Sequence, residues 1–319
     1  MTVLQARVLE MLEERRGSFL SGEIMAEKLN VSRTAVMKAV KSIQAQGLVI
    51  TSVRRMGYRL DGVPDVLDAE KIRKHLLDSG CDVTVEVFRS IDSTNNEGKK
   101  RAHDLNKPVL LVAEEQTMGR GRQGHSFYSP AKTGLYMSIV IPTVLSLKTV
   151  ALCTQLMAVA AVRAVDKLHG PYLRIKWVND LYLDTKKTAG ILTEAVTDLE
   201  SQRVTAVVCG IGINLTTSEF PDDICRSAGA LGQLERNGLA AEITGKFLKL
   251  TKELPDSSSW MDEYRQRSLV LGRPLSFTLN GQDYHAVGKE IDGQGRLVVE
   301  LENGSLLTLS SGEVSVIPE

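Results

Sequence analysis

Cysteine is scarce: four in 319 residues, at 81, 153, 209 and 225, with no CxxC pair among them. That spacing, in mostly apolar surroundings, suits reduced core thiols better than a cysteine zinc site or disulfides. The five histidines are equally scattered, and only His125, beside a glycine-rich stretch, stands where chemistry could use it. Net charge is missing too, because 39 Lys and Arg balance 39 Asp and Glu, so any nucleic-acid surface must be local. No apolar run reaches the roughly 20 residues of a membrane span. The first residues form an amphipathic pattern with Glu10, Glu13 and Glu14 rather than a signal peptide. The expectation is a cytoplasmic protein with no membrane partner, its 43% hydrophobic content and length sufficing for two or three cores.

What is present centres on residues 115–126, where Gly119, Gly121 and Gly124 alternate with Arg120 and Arg122. Backbone amides and guanidinium groups can there approach one anion together. The three glycines satisfy the dinucleotide-binding spacing, which also requires a strand before and a helix opening after. Val109 to Ala113 supplies the strand, but Phe127-Tyr128-Ser129-Pro130 and then Thr133-Gly134 read as extended chain and turn. A Rossmann site is therefore excluded. What remains is a glycine-rich loop bearing arginines, and taken alone it is better explained as a mobile surface loop with two solvated arginines.

Three further stretches decide between these: Ser93-Thr94-Asn95 upstream, Lys176-Trp177-Val178-Asn179-Asp180, and Lys187-Thr188-Ala189-Gly190-Ile191-Leu192 with Glu194. With Gly210-Ile211-Gly212-Ile213-Asn214 they resemble, in order and spacing, the signature of the biotin protein ligases over about residues 80 to 317. The resemblance implies an α+β fold: a central mixed sheet with helices, of the class II synthetase-like biotin/lipoate ligase type. It implies two reactions, in which biotin and ATP give biotinyl-5′-AMP and the biotinyl group then passes to a lysine of the biotin carboxyl carrier protein.

It also implies site residues. Ser93, Thr94, Asn95, Gln116 and the chain at Arg120, Gly121 and Arg122 would hold biotin, with Gly190 and Ile191 as apolar walls. Lys187 would bridge the biotin carboxylate and the α-phosphate, gripped from the other side by Arg122 and Arg120. Lys176, Asn179, Phe127 and Asn214 would face the nucleotide. Asp180 would either accept a proton from the incoming lysine or help to hold Mg²⁺, and the sequence leaves both open. The loop should order and close over the adenylate, excluding water from a hydrolysable anhydride. Two positions depart from the common family pattern: Phe127 stands where tryptophan is usual, and Val178 replaces a proline.

In chain order, Val3, Leu4, Val8, Met11 and Leu12 mark a first helix, and Ser21 and Ser32 can cap two more. Leu48 to Leu60 then reads as two strands around a basic tip. This is a winged helix-turn-helix over 1–62, similar to the module that many bacterial biotin ligases carry. Ser21, Arg33, Thr34, Lys38, Arg54 and Arg55 are its candidate DNA contacts, the wing arginines for phosphates and the third helix for base edges. Use of the wing for protein contacts is the alternative.

Gly62-Val63-Pro64-Asp65 reads as a linker to a catalytic domain over 66–270. Within it Thr94 and Glu97 have capping-box spacing for a helix to about Ala102. From 271 to 319, short strands separated by Asn-Gly, Asp-Gly and Ser-Gly turns form a small all-β unit, which the resemblance makes an SH3-like barrel. The family inference adds operator DNA as a partner and a homodimer when biotinyl-AMP is bound. A lipoate-type ligase, and a biotin-sensing repressor that transfers nothing, are the rival readings.

Overall fold

A computed structural model describes residues 2–15, 17–45, 48–62, 66–102, 105–143, 145–198, 200, 203–254, 256, 258–312 and 314–317. The chain divides into two units, Met1–Val66 and Leu67–Glu319. Positions 63 to 65 of the expected linker lie outside the described residues.

In the first unit, helix α1 (Val3–Glu13) opens on a capping box between Thr2 and Gln5. Helix α2 (Gly22–Leu29) is capped by Ser21, and Asn30 ends it in the left-handed conformation (φ 53°). Ser32 accepts from the Ala35 amide at 3.1 Å and starts α3 (Arg33–Ala45). Val8, Leu12, Met25, Val36, Val40 and Ile43 close this unit's core with Ile50 and Leu60 from the wing. The wing strands β1 (Val49–Val53) and β2 (Gly57–Gly62) pair antiparallel around residues 54–56. Tyr58 adds a bridge to Leu20, and the chains approach so closely there that a Cβ on Gly57 would sit 2.2 Å from the Leu20 carbonyl oxygen.

The second unit is built on a seven-stranded mixed sheet. Its strands are β3 (Thr84–Phe88), β4 (Val109–Ala113), β5 (Gly134–Pro142), β6 (Arg174–Lys176), β7 (Asp180–Leu183), β8 (Lys186–Thr197) and β9 (Val204–Asn214), in the order β3-β4-β5-β9-β8-β7-β6. Among the described residues of this sheet, β3 and β4 pair parallel and the other neighbours antiparallel. Side-chain alternation along the strands gives the sheet two different faces. Leu135, Met137 and Ile139 of β5, Ala189 and Ile191 of β8, and Cys209, Ile211 and Ile213 of β9 belong to the main core, with α4 (Ala69–Asp78), α6 (Leu147–Lys167), α7 (Arg236–Thr251) and α8 (Ser258–Gln266). The intervening residues face the other way. There α5 (Thr94–Arg101) covers one end, and Gly98 permits the contact, since a Cβ would lie 2.8 Å from Val208.

Three sequence expectations are corrected. The helix cap at α5 is Ser93, one residue before the expected Thr94, and its hydroxyl accepts from Asn96 N. Strand β8 begins at Lys186 rather than at Gly190, where the sequence pattern starts it, so Lys187 sits on the strand. One helix, α6, does have the length and hydropathy to cross a membrane. The reason is structural: it is the central core helix, with 72% of its apolar window buried inside the protein.

The C-terminal strands β10 (Pro274–Leu279), β11 (Gln282–Ile291), β12 (Leu297–Leu301), β13 (Leu306–Leu309) and β14 (Ser315–Val316) form a five-stranded antiparallel sheet. It belongs to the same unit as the central sheet. Gly295 O, in its β11–β12 turn, accepts from Trp177 Nε1 at 2.9 Å and from Gln155 Nε2 at 3.1 Å.

Candidate active site

The register of three strands sets the floor of the site. Ser138 of β5, Gly210 of β9 and Leu192 of β8 lie side by side, and the next row is Tyr136, Gly212 and Gly190. All six face away from the main core. Glycine is required at 210, because a Cβ there would stand 2.0 Å from Asn95 Oδ1, and at 212, where it would meet the Phe127 ring at 2.4 Å.

Over the first row sits the start of α5. Thr94 donates from N (2.9 Å) and Oγ1 (3.1 Å) to Gln116 Oε1, and Gln116 Nε2 donates to Ser129 Oγ at 3.0 Å. Ser138 Oγ lies 2.7 Å from Thr94 Oγ1 and 2.6 Å from Asn95 Oδ1. Gln116 is brought there by backbone pairing of 115–118 with 91–92, as in Thr117 N to Ile91 O at 2.9 Å. Ser93, Thr94 and Asn95 are thus buried within a polar network that also lines a small cavity with Gln116, Gly190 and Gly210. Its volume is about 20 Å³, room for one water at most.

Phe127 explains the small volume. Its ring lies on Gly190 and Gly212 and meets Tyr136 edge-on, with centroids 6.4 Å apart. It stands between this cavity and a larger one of about 310 Å³ lined by Arg120, Arg122, His125, Lys176, Asn179, Asp180, Lys187, Gly190 and others. Four of the lining residues are Lys or Arg and one is a carboxylate, so the larger cavity favours an anion.

The loop between β4 and β5 closes this cavity as a hairpin. Gly121 N donates to His125 O at 2.7 Å, Phe127 N donates to Gly119 O at 2.9 Å, and Gln123 (φ 54°) and Gly124 (φ 84°) turn the tip. One 3-10 turn over Arg122–Gly124 is followed by β5 and not by an α-helix, in agreement with exclusion of a Rossmann site. The two arginines point to different neighbours. Arg122 donates, at 3.4 Å each, to Asn179 Oδ1 and to Gly312 O from the C-terminal segment. Arg120 reaches Asn96 Oδ1 at 2.9 Å and Glu194 Oε1 at 3.4 Å on the side of α5.

Lys187 Nζ lies 2.8 Å from Asp180 Oδ1, an ion pair between β8 and β7. Asn179 Nδ2 donates to Ile191 O at 3.0 Å, which fixes the turn before β7. Tyr264, fully buried in α8, donates to Val178 O at 3.0 Å; burial pushes its phenol well above the ordinary range, so it remains a donor. Burial pushes the Glu194 carboxyl up, but hydrogen bonds from Asn95 and Lys99 and the charges of Lys99 and Arg120 outweigh it, leaving the group below its ordinary value.

The chain's N-terminal segment matches the HTH domain over residues 5–59, its centre the biotin/lipoate A/B protein ligase family over 87–214, and its end the biotin protein ligase C terminal domain over 270–316. It is 33% identical to the bifunctional ligase/repressor BirA of Bacillus spizizenii, covering 95% of this chain and 96% of that one. The chain belongs to the biotin protein ligase family. The Escherichia coli BirA is 28% identical over 94% of both chains. In fold, the chain is similar to the biotin protein ligase of Aquifex aeolicus, solved with biotin and ATP, at a TM-score of 0.60 and 22% identity over 74% of this chain and 99% of that one.

Most of the positions named from the ligase signature converge here. Arg120, Gly121, Arg122, Phe127, Lys176, Asn179, Asp180, Lys187, Gly190 and Ile191 line the larger cavity, and Ser93, Thr94, Asn95 and Gln116 the smaller. Asn214 does not join them: it is buried, and its Nδ2 donates to Gly229 O at 3.1 Å. Sequence reading missed Ser138, Tyr182, Ile224, Ser227, Gly312 and Val314. Of these only Ser138 carried a local signal, as the one aliphatic hydroxyl inside the apolar run of β5. In the first unit Arg33, Thr34 and Lys38 are exposed on α3 and Arg54 and Arg55 on the wing tip, while Ser21 spends its hydroxyl accepting from Glu23 N.

Proposed function

We propose that this biotin protein ligase activates biotin with ATP, transfers it to a lysine of the biotin carboxyl carrier protein, and represses transcription through its helix-turn-helix. In the first step a biotin carboxylate oxygen bonds to the α-phosphorus and pyrophosphate leaves. In the second the carrier amine bonds to the carbonyl carbon, AMP leaves and the amine loses a proton. Lys187 and Arg122 would neutralise the like charges that oppose the first step. Asp180, already 2.8 Å from Lys187 Nζ, keeps that ammonium oriented into the cavity and stands ready to take the amine proton.

The observation that carries this reading is the junction of the two cavities at Gly190, Phe127 and Arg120, one polar and fit for a ring amide, the other cationic. A bicyclic ring does not fit about 20 Å³, so biotin entry has to move Phe127 off Gly190 and Gly212. Among the described residues no group of three His, Cys, Asp or Glu could hold a metal. Mg²⁺ would therefore arrive with the triphosphate, and Asp180 would be its protein ligand only if it gave up the role of base assigned to it above. A homodimer formed on adenylate binding would place two α3 helices on a palindromic operator.

Pyrophosphate exchange into ATP, run with biotin and with lipoate, followed by transfer of labelled biotin to a carrier domain, tests the reading. Exchange with lipoate alone would make the protein a lipoate-type ligase. Exchange without transfer would make it a biotin-sensing repressor.

A further inference from the structure

Glu194 occupies the third outward position of β8, after Gly190 and Leu192, and three elements meet at its carboxylate. Oε2 accepts from Asn95 Nδ2 at 2.9 Å. Oε1 accepts from Lys99 Nζ at 3.0 Å and lies 3.4 Å from Arg120 NH1. Asn95 has no amide hydrogen left for a ligand, since the second goes to Leu192 O at 3.1 Å, and its Oδ1 is engaged by Ser138. It acts as a strut that places Thr94 and Ser138. Arg120 belongs to the loop that closes the cationic cavity.

We infer that Glu194 is a positioning residue for the ligase reaction, tying the strut of the ring pocket to Arg120 so that loop closure over the acyl-phosphate depends on a correctly set ring pocket. This rests on the function proposed above. Two cations serve one carboxylate for a physical reason. When the loop opens and Arg120 leaves, Lys99 remains at 3.0 Å, so no half-buried anion is left unpaired and opening costs the Arg120 contact alone, without the further penalty of a stranded charge. A single arginine partner would make the same motion costly.

The test is a double-mutant cycle on release of biotinyl-5′-AMP by the full chain, with Glu194→Gln, Arg120→Gln and both. Each single change should speed release about tenfold, the size of one lost charge-assisted contact, and the pair should release no faster than the singles. E194Q keeps an oxygen for Asn95, so its affinity for biotin without ATP should stay within about threefold of wild type, whereas E194A should weaken it further. Additive effects, or biotin affinity and adenylate release changing together in E194Q, would make Glu194 a mere structural prop and overturn the inference. Should E194Q fail to fold, E194D retains the charge and withdraws the oxygens by about 1.5 Å, one bond length. Its release should lie between wild type and R120Q, and release equal to wild type would count against the proposal. If wild type forms no biotinyl-AMP, the ligase reading itself fails; if it forms and holds it while these variants hold it equally, only the role of Glu194 does.

Discussion

Lys187 has its amide bonded to Ser227 O at 2.8 Å and its carbonyl to Gly229 N at 2.9 Å, so the backbone around it is fixed and only the side chain, paired with Asp180, can follow a reaction. Replacing it with Met should leave the fold intact, because the side chain is 37% exposed, and should lower pyrophosphate exchange by about 100-fold or more, the usual loss for one preorganised charge. Gly210→Ala makes a different kind of damage. Its Cβ would displace Asn95, so the KM for biotin should rise at least about tenfold while the KM for ATP changes little, with an overpacking cost of about 1–3 kcal/mol in a denaturant melt. Equal rises in both constants would show that Asn95 does not set the ring pocket. The charged residues around the larger cavity were legible in the sequence because their motifs are local. Gly312 was not, since it comes to Arg122 across 190 positions, and no local pattern encodes that approach.

Among elements, α5 links stability to chemistry. Its cap, Ser93, is 1% exposed, and Ser93→Ala should cost about 0.5–2 kcal/mol, read as a lowered unfolding midpoint. Carboxylates around this helix also give it a pH signature. Asp92 is held below its ordinary 3.8 mainly by the Asn96 side chain, and Glu97 below 4.5 mainly by Arg101, with Glu194 lowered as well. A depressed value means that the stabilisation is complete above the unfolded-state pKa and is lost as pH falls through the folded one. Denaturant midpoints should therefore be flat from pH 8 to about 5 and fall below about 4, with Lys100→Met and Arg101→Met shrinking the acid-side loss. The sequence showed a capped helix here and placed its cap one residue late, because Ser93 and Thr94 offer the same hydroxyl and only tertiary contact assigns one to the cap and the other to Gln116. Strand bounds shifted for a similar reason: β8 begins at Lys186 through pairing with Leu183 across a turn, which alternation of apolar residues does not reveal.

At the scale of the whole molecule, each of the two units has a hydrophobic cluster of its own among the described residues. The cluster of Val8 through Leu60 closes without any residue beyond 60, and the main cluster starts at Leu67. A fragment of residues 67–319 should fold and keep pyrophosphate exchange within about threefold of the full chain, since each unit buries its own apolar face. DNA binding depends on the other unit, where charge is local in a protein of zero net charge. Arg54 and Arg55 are exposed at the wing tip with neither side chain in the core, so each change to Ala should weaken binding to all sequences and flatten the dependence of log K on log salt by about one. Thr34→Ala and Lys38→Ala, on the exposed side of α3, should instead reduce the preference for one operator over random DNA while the salt slope changes by less. Titrations at several salt concentrations against both kinds of DNA separate the two classes. If wing and helix variants lost affinity alike and in proportion to charge alone, α3 would not be reading bases, and the helix-turn-helix would confer binding without choice of site.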